Sequence, residues 1–369
     1  MRFFFLLSFL SFTSHAQTFN LLIGTYSGSG SKGIYVYRFN STTGKSSWLS
    51  NTDSVINPSY LSLSPGNKFV YAVNETGGND PGKISAFAFG KNSGSLRFLN
   101  QQLSGGDHPC YISIDKANKW VFVSNYNGGN VSAFRVNKDG SLKPHSQLIQ
   151  NTGSSIIKPT QERPHVHATL FSPKQDFVFV TDLGTDQVFS YKFKPSDTVP
   201  LEPMIPPFVN SVAGSGPRHL TFHPNKKFAY VIEELSGTVA VYKYNAGTLF
   251  PLQRLSTHPS NYSGKIGSAD IHISPDGKFL YTSNRGESNT IAIFSIYKKT
   301  GMLTAAGHQS SKGRMPRNFA IDPTGNFLLA ANLETNNIVV FKRNKKTGKL
   351  TDTGEEIKIP KPVFLLFGR

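Results

Sequence analysis

The chain has 369 residues, 38% of them hydrophobic, with 29 Phe and 14 Tyr but a single cysteine, Cys110. It therefore holds the apolar material of a large core, while an internal disulfide and a cysteine-based metal site are excluded. Against 22 Asp+Glu stand 39 Lys+Arg, a net charge of +17 that favours anionic ligands, yet the basic pairs Lys226-Lys227, Lys298-Lys299 and Lys345-Lys346 are scattered through turn-like segments, which argues against the basic stripe of a nucleic-acid binder.

Met1-Arg2 leads into an apolar-rich run from Phe3 to Leu10, and Ser14 and Ala16 put small residues at −3 and −1 before Gln17. This is the pattern of a secretory leader cleaved after Ala16, with an apolar stretch too short to span a bilayer; an N-terminal strand or membrane anchor is the alternative. Residues 1–16 are expected to be the leader and 17–369 the mature domain, exported to the periplasm or beyond, without membrane contact once cleaved. No partner chain is indicated, and a monomer is expected.

From Leu21 onward one pattern recurs. The residue that opens the turn in Ser64-Pro65-Gly66-Asn67-Lys68-Phe69 has counterparts at Lys116, Pro173, Pro224, Pro275 and Pro323, spaced 48 to 57 residues apart, close to the roughly 40–50 residues of propeller repeats. A short alternating strand precedes each anchor and an apolar, aromatic strand follows it, as strands A and B of a blade. A third strand recurs seven times, beginning at Ile34, Ile84, Val131, Val188, Val239, Ile291 and Ile338. Gly-containing turns then lead to a fourth. The pattern predicts an all-β fold, a seven-bladed β-propeller with four-stranded antiparallel blades. The third repeat is the least regular, because 197–212 is rich in proline. The chain starts with strands like B and C and ends with an A-like strand, Val363 to Phe367, so the C-terminal strand is expected to join the N-terminal strands and close the ring, hiding the sheet edges.

In such a hairpin the start of A lies beside the end of B, and A lines the central channel. Six residues before each anchor stand Ser59, Cys110, His167, Arg218, Ala269 and Arg317; ten after it stand Glu75, Tyr126, Leu183, Glu234, Arg285 and Leu333. Both slots open on one mouth, where His167, Arg218, Glu234, Arg285 and Arg317 can converge. One imidazole, one carboxylate and several guanidiniums suit an anionic ligand held by arginines beside a proton-transfer pair. The same charges also suit structural ion pairs between blades, Glu234 with Arg218 for instance.

Three stretches carry a resemblance: Gly216-Pro-Arg-His-Leu-Thr-Phe-His-Pro224 with Val231-Ile-Glu-Glu-Leu235, Ala269-Asp-Ile-His-Ile-Ser-Pro-Asp-Gly277 with Asn284-Arg-Gly286, and Pro316-Arg-Asn-Phe319. They resemble the propeller-type lactonase family, which includes bacterial 6-phosphogluconolactonases and, more distantly, a fungal carboxymuconate cyclase. The resemblance spans the mature chain. It implies a carboxylic ester hydrolase of carbohydrate metabolism, opening a small anionic sugar-acid lactone by attack of water. It further implies that His167 and Glu234 transfer protons while Arg218 and Arg285 bind the lactone carbonyl or an anionic group. His165, two residues from His167 on the same side of the strand, and Arg317 are expected to contact substrate. Lactonisation by the same residues, and a non-catalytic propeller that binds a partner or glycan, remain the alternatives.

Other residues read as structural. His219, His223 and His272 are expected to pack within or between blades, their slots lying away from the mouth or at the turn. Asp182 and Asp186 are expected to stabilise a turn. Cys110 shares the slot of His167 with no obvious base from a neighbouring blade. There is no G-x-S-x-G elbow, no His/Asp/Glu set has metal-ligand spacing, and no cofactor is expected.

Overall fold

The computed structural model describes residues 17–53 and 55–368; the expected leader lies outside the described residues. Among these, 28 strands from β1 (Thr18–Thr25) to β28 (Pro362–Gly368) form seven four-stranded sheets, and there is no helix. Every pairing is between antiparallel neighbours, and the seven sheets are the blades of a propeller, as the repeat predicts. Six blades use four strands consecutive in sequence. The remaining one has the order β28-β1-β2-β3, with β2 at Tyr35–Asn40 and β3 at Ser46–Asn51. β28 thus pairs with β1 over Asn20↔Gly368 to Gly24↔Phe364. The last of the six consecutive blades adds a tie, since Asn318 Oδ1 accepts a hydrogen bond from the Leu365 amide at 2.8 Å.

The irregular repeat is resolved as β12 (Val166–Phe171), β13 (Phe177–Asp182), β14 (Gln187–Phe193) and β15 (Leu201–Asn210). Pro203, Pro206 and Pro207 sit in β15, the outermost strand of its sheet. An edge strand tolerates them because one row of its N–H groups has no ladder to join.

Each blade has two apolar faces, so the core is divided into seven clusters between adjacent blades. One packs Phe228, Tyr230 and Val241 of one blade against Ile271, Leu280 and Phe294 of the next; another packs Leu21, Ile23 and Phe39 against Leu329, Val340 and Ile357 across the closure. The turns interlock with the same contacts. Gly301, at φ +75°, leaves no room for a Cβ against the Phe228 ring, while Tyr230 Oη donates to the Gly301 carbonyl at 2.8 Å.

One departure from regularity places the candidate site side chains. The A–B ladders slip by one residue at Pro109/Tyr111, Val166/Ala168, Pro217/His219, Ser268/Ile271 and Pro316/Asn318. Cys110, His167, Arg218 and Arg317 are the extra residues. A bulge re-aims the side chain it carries, and these four share one register at the start of strand A.

Candidate active site

The residue after each strand B is fixed by a repeated backbone bond to the segment entering strand A. The amides of Tyr26, Glu75, Tyr126, Leu183, Glu234, Arg285 and Leu333 donate to the carbonyls of Lys361, Asn57, His108, His165, Gly216, Gly267 and Met315, at 2.7–3.1 Å. Seven equivalent positions therefore ring one mouth of the channel, next to the bulge residues. Tyr26 is a member that the repeat count passed over. Its signal was present: it follows Gly24-Thr25 at the end of the first B-like strand as Glu234 follows Glu233.

Arg218, Glu234 and Arg285 meet directly. Glu234 Oε2 lies 2.8 Å from Arg218 Nε and 2.9 Å from Arg285 Nη2. Arg218 is 2% exposed, and Ala269, small in its slot, leaves its carbonyl to Arg218 Nη1 at 2.6 Å. The Arg218 Nε–H lies close to Glu234 but off the line of a hydrogen bond, and it has no other acceptor among the described residues. Burial pushes the Glu234 carboxyl up, but Arg285, Arg218 and Arg317 outweigh it and hold it below the usual range. Glu234 is a carboxylate at neutral pH.

His167 stands one blade earlier, packed edge-to-face on Tyr126 at 5.5 Å and on His219 at 5.1 Å. Burial first, then Arg218, His219 and Arg317, hold its imidazole well below its ordinary pKa, so it is neutral at pH 7. His165 stacks against the Tyr126 ring at 4.4 Å, and its Nδ1 donates to the Tyr126 carbonyl at 3.1 Å. Asp182 holds this segment: its Oδ1 accepts from the amides of His165 and Gly184, while Asp186 accepts from those of Gly214 and Gly216. Both aspartates thus stabilise the turn, as expected. Arg317 goes elsewhere than Glu234. It lies over the Tyr26 ring at 5.5 Å and 3.9 Å from Glu75 Oε1, while Glu75 accepts hydrogen bonds from Tyr26 Oη at 3.0 Å and from Ser59 Oγ.

Two expectations need correcting. A base does stand beside Cys110, since His167 Nδ1 is 3.8 Å from its Sγ; but the thiol donates to the His167 carbonyl at 3.3 Å, and burial raises its pKa far above the ordinary value. His219 does bridge blades, through Nδ1 to Asp270 Oδ1 at 2.8 Å, but it is not remote from the mouth: Arg218 Nη1 lies 3.2 Å from its Nε2. Asp270 also meets His272 Nε2 at 2.8 Å and the Asn318 amide group at 2.5 Å. His223 caps a turn, facing the Gly277 carbonyl at 2.9 Å. Among the described residues no group of three or more His, Cys, Asp or Glu is arranged to hold a metal ion.

The fold and its mouth define a seven-bladed propeller with a half-buried carboxylate gripped by arginines at the channel entrance. The sequence model described as "Lactonase, 7-bladed beta-propeller" matches residues 20–367, and the chain belongs to that family. It is 43% identical over 301 residues to a 6-phosphogluconolactonase of Formosa agariphila, covering 81% of this chain and 85% of the relative. To the 6-phosphogluconolactonase of Bacillus subtilis it is 37% identical over 347 residues, covering 94% and 97%. The solved structure of a Pseudomonas aeruginosa periplasmic gluconolactonase superposes with a TM-score of 0.91 at 36% identity, covering 95% of this chain and 99% of that one.

Proposed function

We propose that the channel mouth hydrolyses a sugar-acid lactone. The observation that carries this reading is the half-buried Glu234 carboxylate, 2.8 Å from Arg218 and 2.9 Å from Arg285, in a chain whose relatives are named as lactonases. The off-line Nε–H of Arg218 is available to a substrate oxygen. A lactone carbonyl that takes up these guanidiniums is polarised, and the oxyanion formed by attack of water is stabilised by charge already in place. As the arginines turn to substrate, Glu234 loses part of what depresses its pKa and becomes a better base. It removes the proton of the attacking water. Collapse of the tetrahedral intermediate breaks the ring C–O bond, and the departing oxygen takes that proton. Neutral His167 is the second proton-transfer group, accepting on one ring nitrogen as it donates from the other. His165, presented beside Tyr126, and Arg317 contact the rest of the substrate.

The test is acid release from aldonolactones by the protein lacking residues 1–16, followed above the spontaneous rate. Glu234→Gln is expected to lower kcat about 100-fold or more, the range of a lost general base, with an unchanged fold by circular dichroism. Full activity in both Glu234→Gln and His167→Ala would refute the site. Ring formation from an open-chain acid without uptake of water would point instead to lactonising chemistry. The leader implies export, consistent with the periplasmic relative, and N-terminal sequencing of the secreted protein should begin at Gln17.

A further inference from the structure

The basic pairs that are scattered along the sequence are gathered by the fold. Strand A starts at the mouth, so in antiparallel blades every A–B turn and every C–D turn lies on the opposite face of the ring. Those thirteen turns hold sixteen lysines against six aspartates, a surplus of ten positive charges, and two of the six, Asp115 and Asp322, are buried. The loops on the side of the mouth hold eight Lys and Arg against nine Asp and Glu. The chain is thus polar in charge, with a basic face directed away from the candidate site.

The character of that face narrows what it fits. Each of the seven blades supplies at least one of the lysines, all but Lys194 are exposed, and among the described residues only Lys194 is ion-paired, with Glu202. Charges spread around a whole ring match a planar anionic surface, whereas a linear polyanion would follow a stripe. None of the thirteen turns carries an arginine, so the face has point charges and lacks the planar forks that grip one phosphate or carboxylate in fixed geometry. Apolar side chains lie among the lysines. Tyr297 and Met302, in the turn of Lys298-Lys299, are 59% and 44% exposed, and beside them a cavity of about 620 Å³ is lined in part by Lys227, Lys243, Tyr244, Leu252 and Lys299. Ammonium groups around an exposed Tyr and Met suit a headgroup layer, where the charges meet phosphates and the apolar tips reach the acyl boundary.

We propose that the face opposite the mouth docks on an anionic phospholipid bilayer, leaving the mouth open to solution. The proposal departs from the expectation of no membrane contact, which followed from the leader alone, and it does not depend on the lactonase reading. The protein lacking residues 1–16 is sedimented with phosphatidylcholine vesicles that contain or lack phosphatidylglycerol. Binding should be about tenfold or more tighter to the anionic vesicles, with each lysine near the surface adding to it, and should vanish in high salt, where the screening length falls from roughly 10 Å at 0.1 M to 3 Å at 1 M. The combined variant Lys226→Gln, Lys227→Gln, Lys298→Gln and Lys299→Gln should lose about tenfold or more of this binding. The combined variant Lys32→Gln, Lys158→Gln, Lys265→Gln and Lys312→Gln removes the same charge from the side of the mouth, beyond a screening length from the bilayer, and should bind within about twofold of wild type. Equal losses in the two variants would overturn the assignment to one face, and wild-type binding that ignores phosphatidylglycerol would overturn the bilayer. Binding to a soluble polyuronate with none to vesicles would overturn it in favour of a glycan.

Discussion

Glu75 and Glu234 occupy the same position in blades three apart, each fixed by its amide to the carbonyl that enters strand A, yet their surroundings are opposite in kind. Glu234 is gripped by two guanidiniums, one of them off the hydrogen-bond line. Glu75 is satisfied mainly by hydroxyls, from Tyr26 and Ser59, with Arg317 at a looser 3.9 Å. The backbone delivers a carboxylate to the mouth in both places. What the carboxylate can do is set by the residues that neighbouring blades put in the equivalent slots. An ion cluster with a spare donor can rearrange around an incoming anion, whereas a carboxylate saturated by hydroxyls braces the wall.

The comparison depends on the ring, and removing Val363–Phe367 should have the largest effect. Val363, Phe364 and Leu365 are 2–5% exposed, and burying each apolar side chain is worth roughly 1.5–3 kcal/mol, before the loss of the β1 ladder. Thermal unfolding should become broad and fall by more than about 10 °C; an unchanged transition would show that closure does not hold the mouth together. The two carboxylates can then be set against each other. Glu234→Gln should abolish most turnover and also lower Tm, because the Arg218 and Arg285 guanidiniums lose their counter-charge, while Glu75→Gln should cost stability, about 1–3 kcal/mol for hydroxyls left with a poorer acceptor, and change kcat only a few-fold. Equal kinetic losses would erase the distinction.

Acid should weaken the Glu234 side of the mouth. Burial and then Arg218 lower His219 to about 4, and His167 is also held well below its ordinary value. Because the unfolded state binds these protons first, their contribution is present above about pH 6.5 and is lost as pH falls toward the folded values. His272 acts in the opposite sense: Asp270 outweighs burial and raises its pKa, so its contribution is complete below about pH 6.5 and is lost as pH rises through the raised value. Below about pH 6.5 the His272 contribution is constant and the two lowered imidazoles set the slope, so Tm should fall between about pH 6.5 and 4, and His219→Gln should flatten that slope. The smallest effect is expected from Tyr26→Phe, about 1 kcal/mol from the lost bonds to Glu75, with kcat within about twofold, read by denaturant titration and steady-state kinetics.

The seven C-like strands, the turn anchors and the A-like C-terminal strand were all legible, because strand alternation and turn chemistry are local and repeat along the chain. The slots of Arg218, Glu234 and Arg285 could be found by counting for the same reason. Counting also misled. It left out Tyr26, because its blade is split between the two ends of the chain and has no upstream anchor, and it placed Arg317 with Glu234 although the side chain lies with Tyr26 and Glu75.

The number of blades, the closure and the register that brings one residue per strand to the mouth are written in the chain, since these follow from period-two patterning and from turn residues a few positions apart. Which charges pair follows from the folded arrangement alone. Arg218 reaches the Ala269 carbonyl in the next blade, His219 finds Asp270, and Lys361 folds over the Ser27–Ser31 loop from the far end of the chain. Those contacts depend on side-chain reach and on the bulge that turns each side chain, and neither leaves a periodic mark in the sequence.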